Sequence, residues 1–215
     1  MTKLKITATP EKEDFFGKYE KSGKMGQILL GNYFKKVELL TSTPLKSGEV
    51  TNVLEIGCGP GYSTQKIARM LPKSVKLEAS EYVAPLVRVA KKNNPKIKIW
   101  QEDVYQLKAK DNSYDFIYLL EVLEHLDHPK VALSEIKRVL KPGGFLMLGV
   151  PREPLWRILN IVRGAYWGSL GDTPGHLNHW SASSLRSLIE KNFGEVIEIR
   201  TPLPWSIILS KVTKR

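Results

Sequence analysis

An apolar run, Val53-Leu54-Glu55-Ile56, passes straight into Gly57-Cys58-Gly59-Pro60-Gly61 and then into Tyr62-Ser63 and a segment of helical spacing. Glycines at alternate positions let a chain turn sharply and bring its backbone against a ligand with no side chain between them. Strand, tight turn and helix in that order form the ligand-binding unit of an α/β fold. The loop alone does not name its ligand, because dinucleotide sites use a similar one. A nicotinamide fingerprint would need its third glycine where this chain has Tyr62, and it has no use for Glu55, so a ligand without a pyrophosphate fits better.

Around the loop, short apolar runs alternate with helical ones. The pattern predicts a helix over Gln27–Leu40, a loop over Thr43–Glu49, strand Val53–Ile56, helix Ser63–Met70, strand Val75–Ala79, helix Pro85–Lys92 and strand Ile97–Trp100. Strand Phe116–Leu120, helix Pro129–Leu140 and strand Phe145–Val150 follow, with Pro142-Gly143-Gly144 as a turn. Such alternation predicts a parallel sheet with helices on both faces. The tail departs from it. After a helix at Ser183–Asn192, the strand-like runs Val196–Arg200 and Ser206–Val212 are separated by Thr201–Trp205, too short for a crossover helix, so the last strand should be antiparallel.

Composition bounds the rest. A chain of 215 residues, 42% hydrophobic, supports one substantial core. The expected organisation is a single domain: residues 1–48 a helical lead-in, 49–150 the ligand-binding core, 151–180 an insertion, and 181–215 the final helix and strand pair. No apolar run reaches membrane-spanning length, and Met1–Pro10 lacks the apolar block of a signal peptide, so a cytoplasmic protein is expected. One cysteine, Cys58, allows no internal disulfide and no zinc cluster. The net charge of +11 admits an anionic partner such as RNA, a phosphorylated molecule or an acidic membrane surface, but the lysines are scattered and equally suit a solvated surface.

Two acidic residues accompany the glycine loop. Glu81 follows the second strand, where a carboxylate can accept both hydroxyls of a ribose, and Asp103 follows the third, where one can accept from an adenine amino group. The string from Val53 to Gly61, Glu81, Glu102-Asp103-Val104, Ser113-Tyr114-Asp115-Phe116, Glu121-Val122-Leu123-Glu124-His125 and Arg138-Val139-Leu140-Lys141-Pro142-Gly143-Gly144 together closely resemble, in order and spacing, the class I S-adenosylmethionine-dependent methyltransferases. The resemblance spans about Val53 to Pro151. It implies an α/β, Rossmann-like, doubly wound sheet of seven strands, mostly parallel with the last antiparallel, and S-adenosylmethionine as cofactor. By position it implies that Gly57, Cys58, Gly59 and Gly61 cradle the methionine part, Glu81 the ribose, and Asp103 with Val104 the adenine. Glu55 would organise the loop, Tyr82 stack beside the adenosine, and Leu120 close the fourth strand on the same crevice. Asp103 equally suits a loop cap, Tyr82 plain packing, and the Cys58 side chain a small core residue.

Methyl transfer chiefly needs an aligned nucleophile, and a hydroxyl acceptor also benefits from a base. Glu121, Glu124 and His125 end the fourth strand, at the crevice edge of such a sheet, while His176 and His179 lie in the Pro151–Trp180 segment, long enough to form a lid. Candidate catalytic residues are therefore His125, Glu121 and His179. Glu-x-x-Glu-His followed by another histidine also resembles the divalent-metal site of small-RNA 2′-O-methyltransferases, and its first part that of ubiquinone-biosynthesis O-methyltransferases. That resemblance implies a set of Glu121, Glu124, His125 and His179, though the same string is common in metal-free members.

The lid holds Arg152, Trp156, Arg157, Arg163, Tyr166 and Trp167, and from Pro154 to Trp167 it is apolar with interspersed arginines. These residues suit a small or lipid-like acceptor, a membrane surface or simple packing on the domain. Methylation of an oxygen, nitrogen or carbon of such an acceptor is the leading expectation. RNA methylation, a cofactor-binding scaffold without turnover, and, more distantly, a nicotinamide-dependent oxidoreductase stand beside it.

Overall fold

The computed structural model describes residues 23–213; the expectations for Met1–Pro10 and the rest of the lead-in before Gly23 lie outside them. Helix α1 (Lys24–Leu45) precedes β1 (Asn52–Ile56), α2 (Tyr62–Met70), β2 (Lys76–Glu81), α3 (Ala84–Asn93), β3 (Lys98–Gln101) and β4 (Tyr114–Leu120). A 3-10 turn at Leu123–His125 leads to α4 (Pro129–Val139), β5 (Leu140–Pro151), α5 (Leu155–Val162), α6 (Ala182–Asn192), β6 (Glu195–Arg200) and β7 (Trp205–Lys211). The strands form one sheet in the order β3-β2-β1-β4-β5-β7-β6. All neighbours are parallel except β7, which runs antiparallel to both β5 and β6. The expected α/β doubly wound sheet with an antiparallel last strand is therefore present.

Period-two alternation explains why the central strands read as unbroken apolar runs. Phe116 and Tyr118 of β4 and Ile207 and Leu209 of β7 pack on one face against Tyr33, Val37 and Leu40 of α1. Ile117, Leu119 and Ile208 pack on the other against Leu133 and Ile136 of α4 and Leu185 and Ile189 of α6. A sheet covered on both faces needs apolar residues at every position. The order reverses at β1, which pairs with β2 on one side and β4 on the other, so the ligand crevice of this topology opens beyond the ends of β1 and β4.

Two boundaries differ most from expectation. Helix α1 continues through Thr43-Pro44-Leu45, read above as loop, because Leu40, Thr41 and Pro44 are buried, and the Thr41 hydroxyl accepts from Tyr118 of β4 at 2.8 Å while donating to Val37 O. That long-range packing outweighs the amide hydrogen bond a proline cannot make. Strand β5 begins at Leu140, assigned above to the preceding helix, and carries Pro142-Gly143-Gly144 inside it beside a register shift. Among the described residues, no helix is long and apolar enough to cross a membrane.

Candidate functional site

The glycine loop is stapled beneath the sheet edge. Gly57 and Cys58 both donate to Ser80 O of β2, at 2.8 and 3.0 Å, and Gly61 N donates back to Cys58 O. Gly57, Gly59 and Gly61 all have positive φ, where a side chain is strained. Their surroundings differ. A Cβ on Gly57 would overlap Val122, and one on Gly61 would strike Asn94 and the Ala90 backbone, whereas one on Gly59 would meet nothing within 4 Å. Gly59 thus borders open space, the cradle a ligand needs.

Glu81 closes this cradle. One carboxylate oxygen accepts from Gly59 N and the other from Val83 N, each at 2.8 Å. A carboxylate has about four acceptor directions, so holding the loop is compatible with receiving hydroxyls. Glu55 lies wholly buried under the loop and accepts from Thr64 Oγ1 at 2.5 Å. Burial pushes its carboxyl up to about 7, against the opposing hydrogen bonds of Ser63 and Thr64, with nearby Glu81 adding a smaller upward push. It ties the first turn of α2 to the strand before the loop. Burial also raises the Cys58 thiol far above its ordinary range, so this sulfur is no nucleophile; it packs with Ala79, Val87, Ala90 and Ile99.

The more distant candidates are placed unevenly. Tyr82 is exposed beside the cradle. Asp103 Oδ1 accepts from Tyr105 N at 2.9 Å, the loop-cap arrangement that its residue type also allowed. Val104 and Leu120 are buried at the crevice ends of their segments.

Beyond β4 the chain makes a constrained turn. Glu121 has φ +58, its N–H donates to Gly149 O, and its Oε2 accepts the Trp205 indole N–H at 3.0 Å. Glu124 and His125 follow, both buried. His125 Nδ1 lies 3.0 Å from Gly175 O. A carbonyl can only accept, so Nδ1 is the donor in this contact. The lid is bolted to the same turn: Leu177 N and Asn178 N donate to Glu124 O, and Asn178 Nδ2 to Leu126 O.

Glu124, His125 and His176 converge, with one ligand atom from each lying within 4.8 Å of the others. A carboxylate and two imidazoles are a donor set that suits a divalent transition metal. Only part of the expected set is brought together. Glu121 is engaged by Trp205. His179 lies in the lid's own network, 2.7 Å from Asp172 Oδ1 and 3.2 Å from Arg157 Nη2. Among the described residues neither joins the cluster, and His176 supplies the second imidazole. An aromatic wall continues from it. His125 and His176 rings are 5.0 Å apart, Trp156 follows at 6.2 Å, Trp205 at 5.8 Å from Trp156, and Tyr33 at 5.0 Å from Trp205. Sequence reasoning overlooked Tyr33 and Trp205, which reach this wall from α1 and from the far end of the chain.

Comparison with known proteins agrees with this geometry. Residues 54–148 match the family model described as a methyltransferase domain. Over 158 residues the chain is 28% identical to the ubiquinone biosynthesis O-methyltransferase of Dinoroseobacter shibae, covering 71% of this chain and 64% of that one. It is 27% identical over 128 residues to the trans-aconitate 2-methyltransferase of Variovorax paradoxus, with 58% and 48% covered. A solved S-adenosylmethionine-dependent methyltransferase from Methanosarcina mazei superposes with a TM-score of 0.61 at 20% identity, covering 78% of this chain and 94% of that one. The chain spans 36% to 64% of the length of the curated relatives it matches.

Proposed function

We propose that the chain is a class I S-adenosylmethionine-dependent methyltransferase that methylates a hydroxyl of a small or lipid-like acceptor lying against the Trp156–Trp205 wall. The observation that carries the reading is His125: an imidazole buried just beyond β4, beside Glu124 and His176, with its Nδ1 held on Gly175 O. An amine that can be neutral needs no such base, whereas a hydroxyl gains from one.

When bound, S-adenosylmethionine supplies a methyl group on a positively charged sulfur, and the acceptor displaces that sulfur in line. The open face at Gly59 and the carboxylate of Glu81 fit the cofactor's methionine and ribose parts. His125 Nε2 takes the hydroxyl proton as the oxygen attacks, while the aromatic wall and the lid orient the acceptor and exclude water. The resemblance between this chain and an enzyme named as a ubiquinone biosynthesis O-methyltransferase supports an oxygen acceptor with apolar character.

The Glu124, His125 and His176 cluster favours a second form of the same reading. A divalent ion there would lower the acceptor's pKa directly, and one held through His125 Nε2 would remove that nitrogen as a base. The test is turnover with phenolic and catecholic acceptors by the intact protein and by His125→Asn, with and without chelator. A base predicts a loss of about a hundredfold or more in kcat on substitution, no effect of chelator and unchanged affinity for S-adenosylhomocysteine. Chelator-sensitive turnover selects the metal form, and full activity of His125→Asn refutes both.

A further inference from the structure

Helix α5 is built inside out. Its buried residue is Asn160, 2% exposed, while Ile158, Ile161 and Val162 are exposed, Val162 at 77%. The inner side is a polar spine. Asn160 Nδ2 donates to Gly171 O at 2.7 Å and to Thr173 Oγ1 at 3.1 Å, and Trp156 Nε1 donates to the same hydroxyl. These bonds fasten α5 to the returning chain and, among the described residues, leave its aliphatic side without a covering element.

The loop after α5 enlarges that side. Positive φ at Gly164, Tyr166, Leu170 and Gly171 coils it tightly, and it leaves Trp167 68% and Leu170 76% exposed. Trp167 donates its indole N–H to Ile161 O at 3.0 Å, which pins the ring to the end of α5 and leaves an apolar surface exposed. Contiguous exposed apolar residues of this size mark an interaction surface rather than ordinary solvent-facing scatter.

Charge selects the occupant. From Pro154 to Gly171 there is no Asp or Glu, and the charged residues are Arg157 and Arg163. Arg157 is paired with Asp172 at 3.0 Å. Arg163 is exposed and directly follows α5. The whole chain carries +11. A two-fold contact between copies would offer Arg163 no carboxylate from the same face. An apolar face with an exposed arginine beside it, on a chain of net charge +11, matches a surface that is apolar within and anionic at its boundary.

We infer that the α5 lid, through Ile158, Val162, Trp167 and Leu170 with Arg163 beside them, docks on an anionic lipid bilayer. The lid is joined to the Glu124 turn through Leu177 and Asn178, so docking would set the acceptor side of the crevice at the membrane surface. The inference does not require the hydroxyl chemistry proposed above.

Flotation with phosphatidylcholine vesicles, with and without phosphatidylglycerol, tests it on the full chain and on Val162→Asp/Leu170→Asp. Both positions are exposed, so the double variant should keep its thermal unfolding and its affinity for S-adenosylhomocysteine. The expected result is binding to the anionic vesicles that salt weakens and that the double variant loses by at least about tenfold. No binding, or binding indifferent to the substitutions, overturns the inference. A dimer dissolved by the same substitutions, without vesicle binding, assigns the face to a second copy and overturns it as well.

Discussion

Trp205, the first residue of β7, donates its indole N–H to Glu121, the residue that follows β4, across 84 positions of sequence and 3.0 Å of space. The bond fixes a carboxylate whose own backbone is in the left-handed region, at φ +58. Such a conformation costs a non-glycine residue about 1–2 kcal/mol, and it persists where surrounding structure enforces it.

Two substitutions separate these effects. Trp205→Phe keeps a ring in the wall but removes the donor, and should lower unfolding stability by about 1–3 kcal/mol while raising KM for the acceptor more than the Kd for cofactor. Glu121→Gly should be more stable than Glu121→Ala by about 1 kcal/mol, since both lose the carboxylate and only one relieves the backbone. Denaturant unfolding reads both, and equal stability of the two Glu121 variants would remove the strain argument.

The glycine loop yields a sharper contrast. Gly57→Ala drives a methyl group into Val122, so it should unfold at markedly lower temperature. Gly59→Ala meets no atom and carries only the cost of a positive φ, about 1–2 kcal/mol, so the variant should fold. Its methyl group would nevertheless occupy the ligand's space and weaken S-adenosylhomocysteine binding by at least about tenfold. Calorimetric titration of folded Gly59→Ala with undiminished affinity would show that the cofactor approaches elsewhere.

Glu55 makes stability depend on pH. Its carboxyl is raised by burial from 4.5 to about 7 in the folded chain, so the folded state holds more protons between those values. Its contribution is therefore intact below about 4.5 and is lost as pH climbs to about 7. Glu55→Gln cannot ionise. Its stability relative to the intact chain should improve between about pH 5 and about pH 8, by a few kcal/mol at most. A difference that stays constant across that range contradicts the raised carboxyl.

His176 and His179 can be told apart by metal titration. If a divalent ion binds at the Glu124 turn, His176→Ala should weaken it by at least about tenfold, and His179→Ala should not, because His179 lies with Asp172 and Arg157. The reverse outcome would restore His179 as the ligand.

What the sequence revealed follows from how local each signal is. The strand, glycine loop and helix at Val53–Met70 are written in adjacent residues, and the boundaries predicted there lie within a residue of the observed ones. The antiparallel β7 was legible from the short Thr201–Trp205 link alone. The continuation of α1 through Pro44 was not, because it rests on Tyr118 meeting Thr41 from 77 residues away. The choice of His176 over His179 depends on a lid coiled by successive positive-φ residues, with Gly175 O bonded to His125. No periodicity encodes that path. Trp205 falls in the predicted link and Tyr33 in the predicted Gln27–Leu40 helix, and they become a wall only when β7 enters beside β5.

The central claim is a cofactor site built on Gly59 and Glu81, and the most direct measurement is calorimetric titration of the full chain with S-adenosylhomocysteine, repeated for Glu81→Gln. One-site binding, weakened at least about tenfold in a variant that still folds, is the predicted result. Absence of binding by the folded chain, or equal affinity of the Glu81 variant, would contradict the account.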